Sequence, residues 1–114
     1  MSDCLFCGIV DGSVPSTKVA DTGSSYAFRD LNPVAPVHVL VVPREHVDSA
    51  HALRPEHAPL LADLYATVQE VAIAEGIAES GYRIVANVGR EAGMTVPHLH
   101  LHVVGGRPMS WPPG

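Results

Sequence analysis

The chain has 114 residues, 46% of them hydrophobic and 17% charged, a balance expected of one globular domain with enough apolar surface for a core. Its formal charge of −5, with only seven Lys plus Arg, argues against the broad basic surface of a nucleic-acid binder, so an anionic ligand would have to be held locally. No apolar run approaches the roughly 20 residues that span a bilayer, and the opening "MSDCLFCGIV" lacks a basic region followed by a long apolar one, so no membrane partner is expected and the cytoplasm is the default location.

In chain order, "CLFCGIVDG" reads as a short helix ended by Gly12, and "STKVAD" and "SSYAFRD" as two strands separated by the turn residues "DTGS". "VHVLVVP" at 37–43 is nearly all apolar and therefore a central strand. Residues 55–79 form the one long helix, with Leu60, Leu61, Leu64, Val68, Val71 and Ala72 on a single stripe. Pro55 and Pro59 blur its start, because only an early helical position tolerates proline. "GYRIVANV" and "HLHLHVVG" supply two further strands, joined by "GREAGMTVP". The pattern is α+β: a five-stranded, mostly antiparallel sheet with one long helix and a short N-terminal helix, in a single domain over 1–114 that closes with a tail at 105–114.

The stretch "TVPHLHLHVVGG" sets His98, His100 and His102 at alternate positions, with Leu99, Leu101 and Val103 between them. On a strand this puts three imidazoles on one face and three apolar side chains on the other. Alternate residues lie roughly 6.5 to 7 Å apart, so one small ion fits all three rings poorly, whereas a phosphate spans two of them. Imidazole changes charge nearest physiological pH, which favours acid, base, nucleophile or ligand over a merely polar edge. Metal binding stays open for the row alone. Two cysteines in a reducing compartment are poor candidates for a structural disulfide, and the C-x-x-C of Cys4 and Cys7 points to metal or redox chemistry, or to plain reduced thiols.

Four segments together, "CLFCGIVDGSVPSTKV", "FRDLNPVAPVHVLVVPREHV", "NVGREAGMTVPHLHLHVVGGRPM" and "SWPPG", resemble the histidine triad (HIT) family in its Hint-like nucleoside phosphoramidase branch. They run over nearly the whole chain in matching order and spacing. The resemblance implies a HIT-like fold and transfer of a nucleotide, an AMP or GMP moiety, to His100, followed by hydrolysis of the nucleotidyl-histidine. A neutral imidazole nitrogen attacks the α-phosphorus of a purine nucleoside phosphoramidate, provided its other nitrogen is held, which in this family a backbone carbonyl does. His102 and the hydroxyl of Thr95 resemble the pair that contacts the phosphate and the departing amine, and His38 matches a family histidine near the phosphates.

For nucleotide binding the resemblance points to Asp30 at the ribose hydroxyls and to Asn87 and Gly93 near the phosphate, with Gly89 beside them. Glycines let backbone N–H groups approach an anion, although two glycines in a loop alone mean only a turn. Met94 departs from the family, which often has glutamine there; this removes a side-chain hydrogen bond and leaves the backbone. Phe6, Ile9, Phe28 and Leu31 fit either the walls of a purine slot or ordinary core. Cys4, Cys7, His46 and His98 resemble the zinc site of many bacterial members, and a site filled by four protein ligands is structural, with no metal needed for the chemistry. His51 and His57 are expected to be solvated.

The resemblance also implies a homodimer, with the strand at 81–88 and the helix stripe as interface and with Trp111 of "SWPPG" reaching the other subunit's site. Two alternatives accompany the phosphoramidase reading: a diadenosine polyphosphate hydrolase of the fragile-histidine-triad branch, against which the short chain and its ending speak, and a nucleotide-binding interaction module with little catalysis.

Overall fold

The structure, a computed structural model, describes residues 3–114. Helix α1 covers Leu5–Asp11. Cys4 caps it from an extended conformation, its sulfur accepting from the Cys7 N–H, and Gly12 ends it in the left-handed region at φ 88°, as the sequence suggested. The helix buries Phe6 and Ile9.

The strands are β1 (Lys18–Asp21), β2 (Ser25–Arg29), β3 (Val37–Pro43), β4 (Tyr82–Val85) and β5 (Leu101–Gly105), in the order β1-β2-β3-β5-β4. Every pairing is antiparallel, so the expected mixture resolves into a wholly antiparallel sheet. β3 is buried along its entire length, as its apolar run predicts. On one face Val37, Val39, Val41, Leu101 and Val103 pack with Leu60, Leu64, Val68 and Val71 of helix α2 (Ala58–Ala74). On the other face Phe28, Leu40 and Val42 meet Phe6 and Ile9 of α1. The helix-covered face is core, and the opposite face carries the polar groups described below.

Three expectations need correction. The strand ladder begins at Leu101, after His98 and His100. Pro97 has no N–H to offer a neighbour, the Leu99 N–H is drawn to the Val47 carbonyl at 2.6 Å, and the His98 carbonyl accepts from the His100 ring, so these groups are withdrawn from strand pairing. The alternation survives without the ladder, since Leu99, Leu101 and Val103 all enter the core.

The long helix is also shorter than 55–79. It is preceded by a 3-10 turn at Pro55–His57, and it stops at Ala74. Gly76 at φ 74° lets its own N–H reach the Ile73 carbonyl and that of Ile77 reach Ala72, while the Ile77 side chain is buried behind it. Finally, the apolar stripe is not an interface. Leu64, Val68 and Val71 are within 1% of full burial against the chain's own sheet. Burying each such side chain stabilises by about 1.5–3 kcal/mol, which exposure to a partner would forfeit. The outward side of α2 instead exposes Tyr65 and Ile73.

Candidate functional site

Register assembles the site. β2 pairs β3 with Phe28 opposite Leu40, and β3 pairs β5 with Leu40 opposite His102 and His38 opposite Val104. His38 and His102 are therefore diagonal neighbours on one face, the arrangement in which long side chains meet across strands. Their rings lie 5.2 Å apart, with His38 Nε2 2.9 Å from His102 Nδ1. Just past the end of β2 the Asp30 N–H donates to the His38 carbonyl, which brings Asp30 to the same edge; its Oδ2 is 3.4 Å from His38 Nε2.

The hydrogen bonds fix which nitrogens carry protons. The Val34 N–H donates to His38 Nδ1 at 3.1 Å, so a neutral His38 holds its proton on Nε2 and gives it to His102 Nδ1. A neutral His102 accordingly carries its own proton on Nε2. Burial, then the neighbouring His100 and His38 rings, lower the His102 pKa to about 4 against an opposing pull from Asp30, so the ring is neutral at pH 7.

His100 is 7% exposed, and its Nδ1–H donates to the His98 carbonyl at 2.7 Å. Its Nε2 lone pair is thereby left for an electrophile. The Phe6 ring meets His100 edge-on at 5.0 Å, and His100 and His102 lie 5.0 Å apart, closer than alternate positions of a flat strand.

Beside this row is a cleft of about 230 Å³ lined by Phe6, Ile9, Phe28, Asp30 and Leu31, with Leu5, Pro15, Ser16, Arg29, Asn32, Leu40 and Val96 completing its walls. All four residues proposed for an apolar slot thus border one cavity, although Phe6, Ile9 and Phe28 are also core. Leu31 is 92% exposed at the rim, where a bound group would cover it. Asp30 is half-buried, with Oδ1 accepting from the Asn32 N–H at 2.8 Å.

The remaining sequence candidates lie in other places. Gly89 and Gly93 flank a 3-10 turn, Arg90–Ala92, at φ 81° and 85°. The Gly93 N–H is spent on the Arg90 carbonyl and the Met94 N–H on Gly89, so in this structure neither amide points at a ligand. Asn87 lines a surface recess with Arg83, Arg107, Met109 and the end of the tail. Thr95 is exposed in a recess of about 490 Å³ shared with Cys4, His46 and Asp48. That recess is larger than the cleft, but Phe6, a wall of the cleft, is the side chain that meets the His100 ring. His51 is exposed, as expected, whereas His57 is half-buried and its Nδ1 accepts from the Arg54 N–H.

Cys4, Cys7, His46 and His98 converge from α1, from the segment after β3 and from the segment before β5, with their donor atoms all within 4.8 Å of one another. His98 is fully buried; its Nε2–H donates to the Pro43 carbonyl at 3.0 Å, leaving Nδ1 aimed at Cys4 Sγ, 3.2 Å away. His46 Nε2 is 2.8 Å from Asp48 Oδ1, and its Nδ1 faces Cys7 Sγ at 3.4 Å. Both rings thus have one nitrogen held and the other free to bind metal, the orientation that second partners impose on ligating histidines. Burial lowers the His98 pKa, against the pull of the Pro43 carbonyl, which keeps the ring in the neutral form a metal requires. The donor set fits zinc. Asp30, His38 and His102 also cluster, but the Val34 N–H occupies His38 Nδ1, so Nε2 carries a proton where a metal would need a lone pair.

Pro43, Asp48 and Val34 were missed by sequence reasoning. The H-x-D spacing of His46 and Asp48 was the one local signal. The backbone groups of Pro43 and Val34 leave none.

Residues 11–109 match the HIT domain. The chain is 40% identical to an adenylylsulfatase of Arabidopsis thaliana over 99% of this chain and 78% of the relative. It is also 40% identical to a 14 kDa zinc-binding protein of Brassica juncea, over 98% of this chain and all of that protein. The crystal structure of a HIT family hydrolase from Legionella pneumophila superposes with a TM-score of 0.96 at 43% identity, covering 98% of this chain and 100% of the other.

Proposed function

The chain belongs to the HIT family, and we propose that it is a hydrolase of purine nucleoside 5'-phosphoramidates that works through a nucleotidyl intermediate on His100. The observation that carries this reading is the His100 ring, with Nδ1–H fixed on the His98 carbonyl, Nε2 left with its lone pair, and the ring packed against Phe6, a wall of the cleft. With the base in the apolar slot, Nε2 attacks the α-phosphorus, the P–N bond breaks and the amine departs. Water then cleaves the P–Nε2 bond and releases the nucleoside monophosphate. His102 Nε2–H is suited to stabilise charge growing on the phosphoryl oxygens. The departing amine needs a proton, and His102 and Thr95 are the groups this reading sets against it.

A second reading comes from the Arabidopsis relative, whose name gives adenylyl sulfate as substrate. The attack is the same, but sulfate leaves as an anion and needs no proton. Specificity constants for adenosine and guanosine phosphoramidates, adenylyl sulfate and diadenosine polyphosphates decide between them. We expect the phosphoramidates to lead by at least about tenfold, a margin of about 1.4 kcal/mol in transition-state binding. A lead for adenylyl sulfate would transfer the function to the second reading. Binding of AMP without turnover of any of the four would leave a nucleotide-binding module.

The proposal includes zinc on Cys4, Cys7, His46 and His98. With all four positions filled by protein, the ion would hold segments together and activate no water.

It also includes a homodimer. Strand β4 ends the sheet with one edge unpaired, and Ile84 on it, with Tyr65 and Ile73 on the outer side of α2, offers exposed apolar surface. The tail is tied down beside that strand by the Arg83 guanidinium on the Ser110 carbonyl, while Trp111 is 82% exposed. Deleting residues 110–114 should therefore leave the dimer intact and change the relative rates of substrates with different amines. A monomer by light scattering at micromolar concentration, or unaltered substrate ratios, would refute this part.

A further inference from the structure

We propose that Asp30 is a positioning residue as well as a ribose ligand: binding of the sugar hydroxyls to its carboxylate secures, through His38, the Nε2–H tautomer of His102 that the resting hydrogen bonds already favour. The inference rests on the nucleotide reading above, because it assumes a sugar between the slot and the phosphate. The cleft makes that assumption specific. A base among Phe6, Ile9 and Phe28, with its phosphate at His100, leaves the sugar beside Asp30, which lines the same cavity.

The coupling follows from counting donors and acceptors. His38 has one proton on Nε2, since its Nδ1 accepts from the Val34 N–H. Two acceptors compete for that proton: His102 Nδ1 at 2.9 Å and Asp30 Oδ2 at 3.4 Å. The carboxylate is not free to turn away, because Oδ1 is pinned by the Asn32 N–H. When ribose hydroxyls donate to Oδ2, its attraction for the His38 proton weakens and the proton is committed to His102 Nδ1. His102 must then carry hydrogen on Nε2, the form that donates toward the phosphate. When the hydroxyls are missing, Asp30 draws on the His38 proton, His102 Nδ1 loses its fixed donor, and the other tautomer becomes accessible. A missing 2'-hydroxyl should thus act on the chemical step as well as on binding, since Asp30 reaches the reacting phosphate through His38 and His102, three links in all.

His38 makes the wire testable. Replacing it with Asn or Gln removes the ring that links Asp30 to His102 but leaves the Asp30 carboxylate able to take the sugar. The ribo-to-deoxyribo ratio in KM should survive this change, and the ratio in kcat should collapse toward one. In the wild-type protein we expect that kcat ratio to be about tenfold, the worth of one well-placed hydrogen bond.

The deciding experiment reads the tautomer without turnover. Protein labelled with nitrogen-15 at histidine is titrated with AMP and with 2'-deoxy-AMP, and the His102 and His38 ring nitrogens are followed by long-range proton–nitrogen correlation. AMP should drive His102 to the single Nε2–H form, 2'-deoxy-AMP should do so less completely at equal saturation, and His38→Gln should erase the difference. Identical His102 spectra with both nucleotides bound would overturn the coupling while leaving the nucleotide site intact. If neither nucleotide binds, the reading of the site fails and the coupling falls with it. A kcat ratio that persists unchanged in His38→Gln would place the effect of the 2'-hydroxyl elsewhere and also overturn it.

Discussion

His100→Ala should lower turnover of a nucleoside phosphoramidate by about 10⁴-fold or more while nucleotide affinity changes little. Losses of that order follow when the group forming the covalent bond is removed and only binding and electrostatic stabilisation remain. The affinity should hold because the slot is built by other residues, Phe6, Ile9, Phe28 and Leu31, and by Asp30. His100 touches the cleft through the edge of Phe6, so truncation to alanine opens space beside that ring without removing a wall. The intermediate gives a direct check. Acid-quenched wild-type protein should yield a nucleotidyl adduct on the peptide carrying His100, visible by mass spectrometry, and the variant should yield none. Activity within tenfold of wild type, or an adduct on His102 or His38, would reassign the nucleophile.

Some of this site was legible in the chain and some was not, for identifiable reasons. The alternation of histidine with Leu99, Leu101 and Val103 placed those three apolar side chains in the core, because burial follows side-chain direction even where no ladder forms. The same signal misplaced the start of β5, since periodicity does not register what Pro97 and a carbonyl engaged by its own neighbour's ring do to pairing. The apolar stripe of α2 reads identically whether it meets its own sheet or another subunit, and here it meets its own sheet. The helix was expected to run to residue 79 but ends at Ala74, because Gly76 turns the chain and the Ile77 N–H goes back to the Ala72 carbonyl. His38 and His102 stand 64 positions apart, and only the register of β3 against β5 makes them neighbours. The tautomers depend on the amide of Val34 and the carbonyls of His98 and Pro43, and backbone groups carry no sequence signature. For the candidate metal site, family likeness named four residues that the structure brings together, whereas the hydrogen bonds that aim them had no signal in the chain.

Removing the metal from this protein should destabilise it by more than about 4 kcal/mol, a size reserved for lost cross-links, metals and broken buried networks. For a chain of this length that corresponds to a fall in Tm of at least about 15 °C. The reason is topological. Cys4 caps α1 and Cys7 lies on its first turn, His46 follows β3 and His98 precedes β5, so one ion would join three segments that are distant in sequence. Chemistry should suffer less than stability but not escape. The His98 ring would be a ligand, while the His98 carbonyl holds His100 Nδ1–H at 2.7 Å, so loosening the ring would loosen the anchor of the proposed nucleophile. Cys4→Ser should therefore lose zinc and melt early, and near 10 °C, where it is still folded, it should keep much of its affinity for AMP with a reduced kcat. Metal analysis of protein purified without chelator should find one zinc per chain. Metal-free protein with an unchanged melting temperature would leave Cys4 and Cys7 as ordinary thiols at the start of a short helix, held by apolar packing with Phe6 and Ile9 foremost.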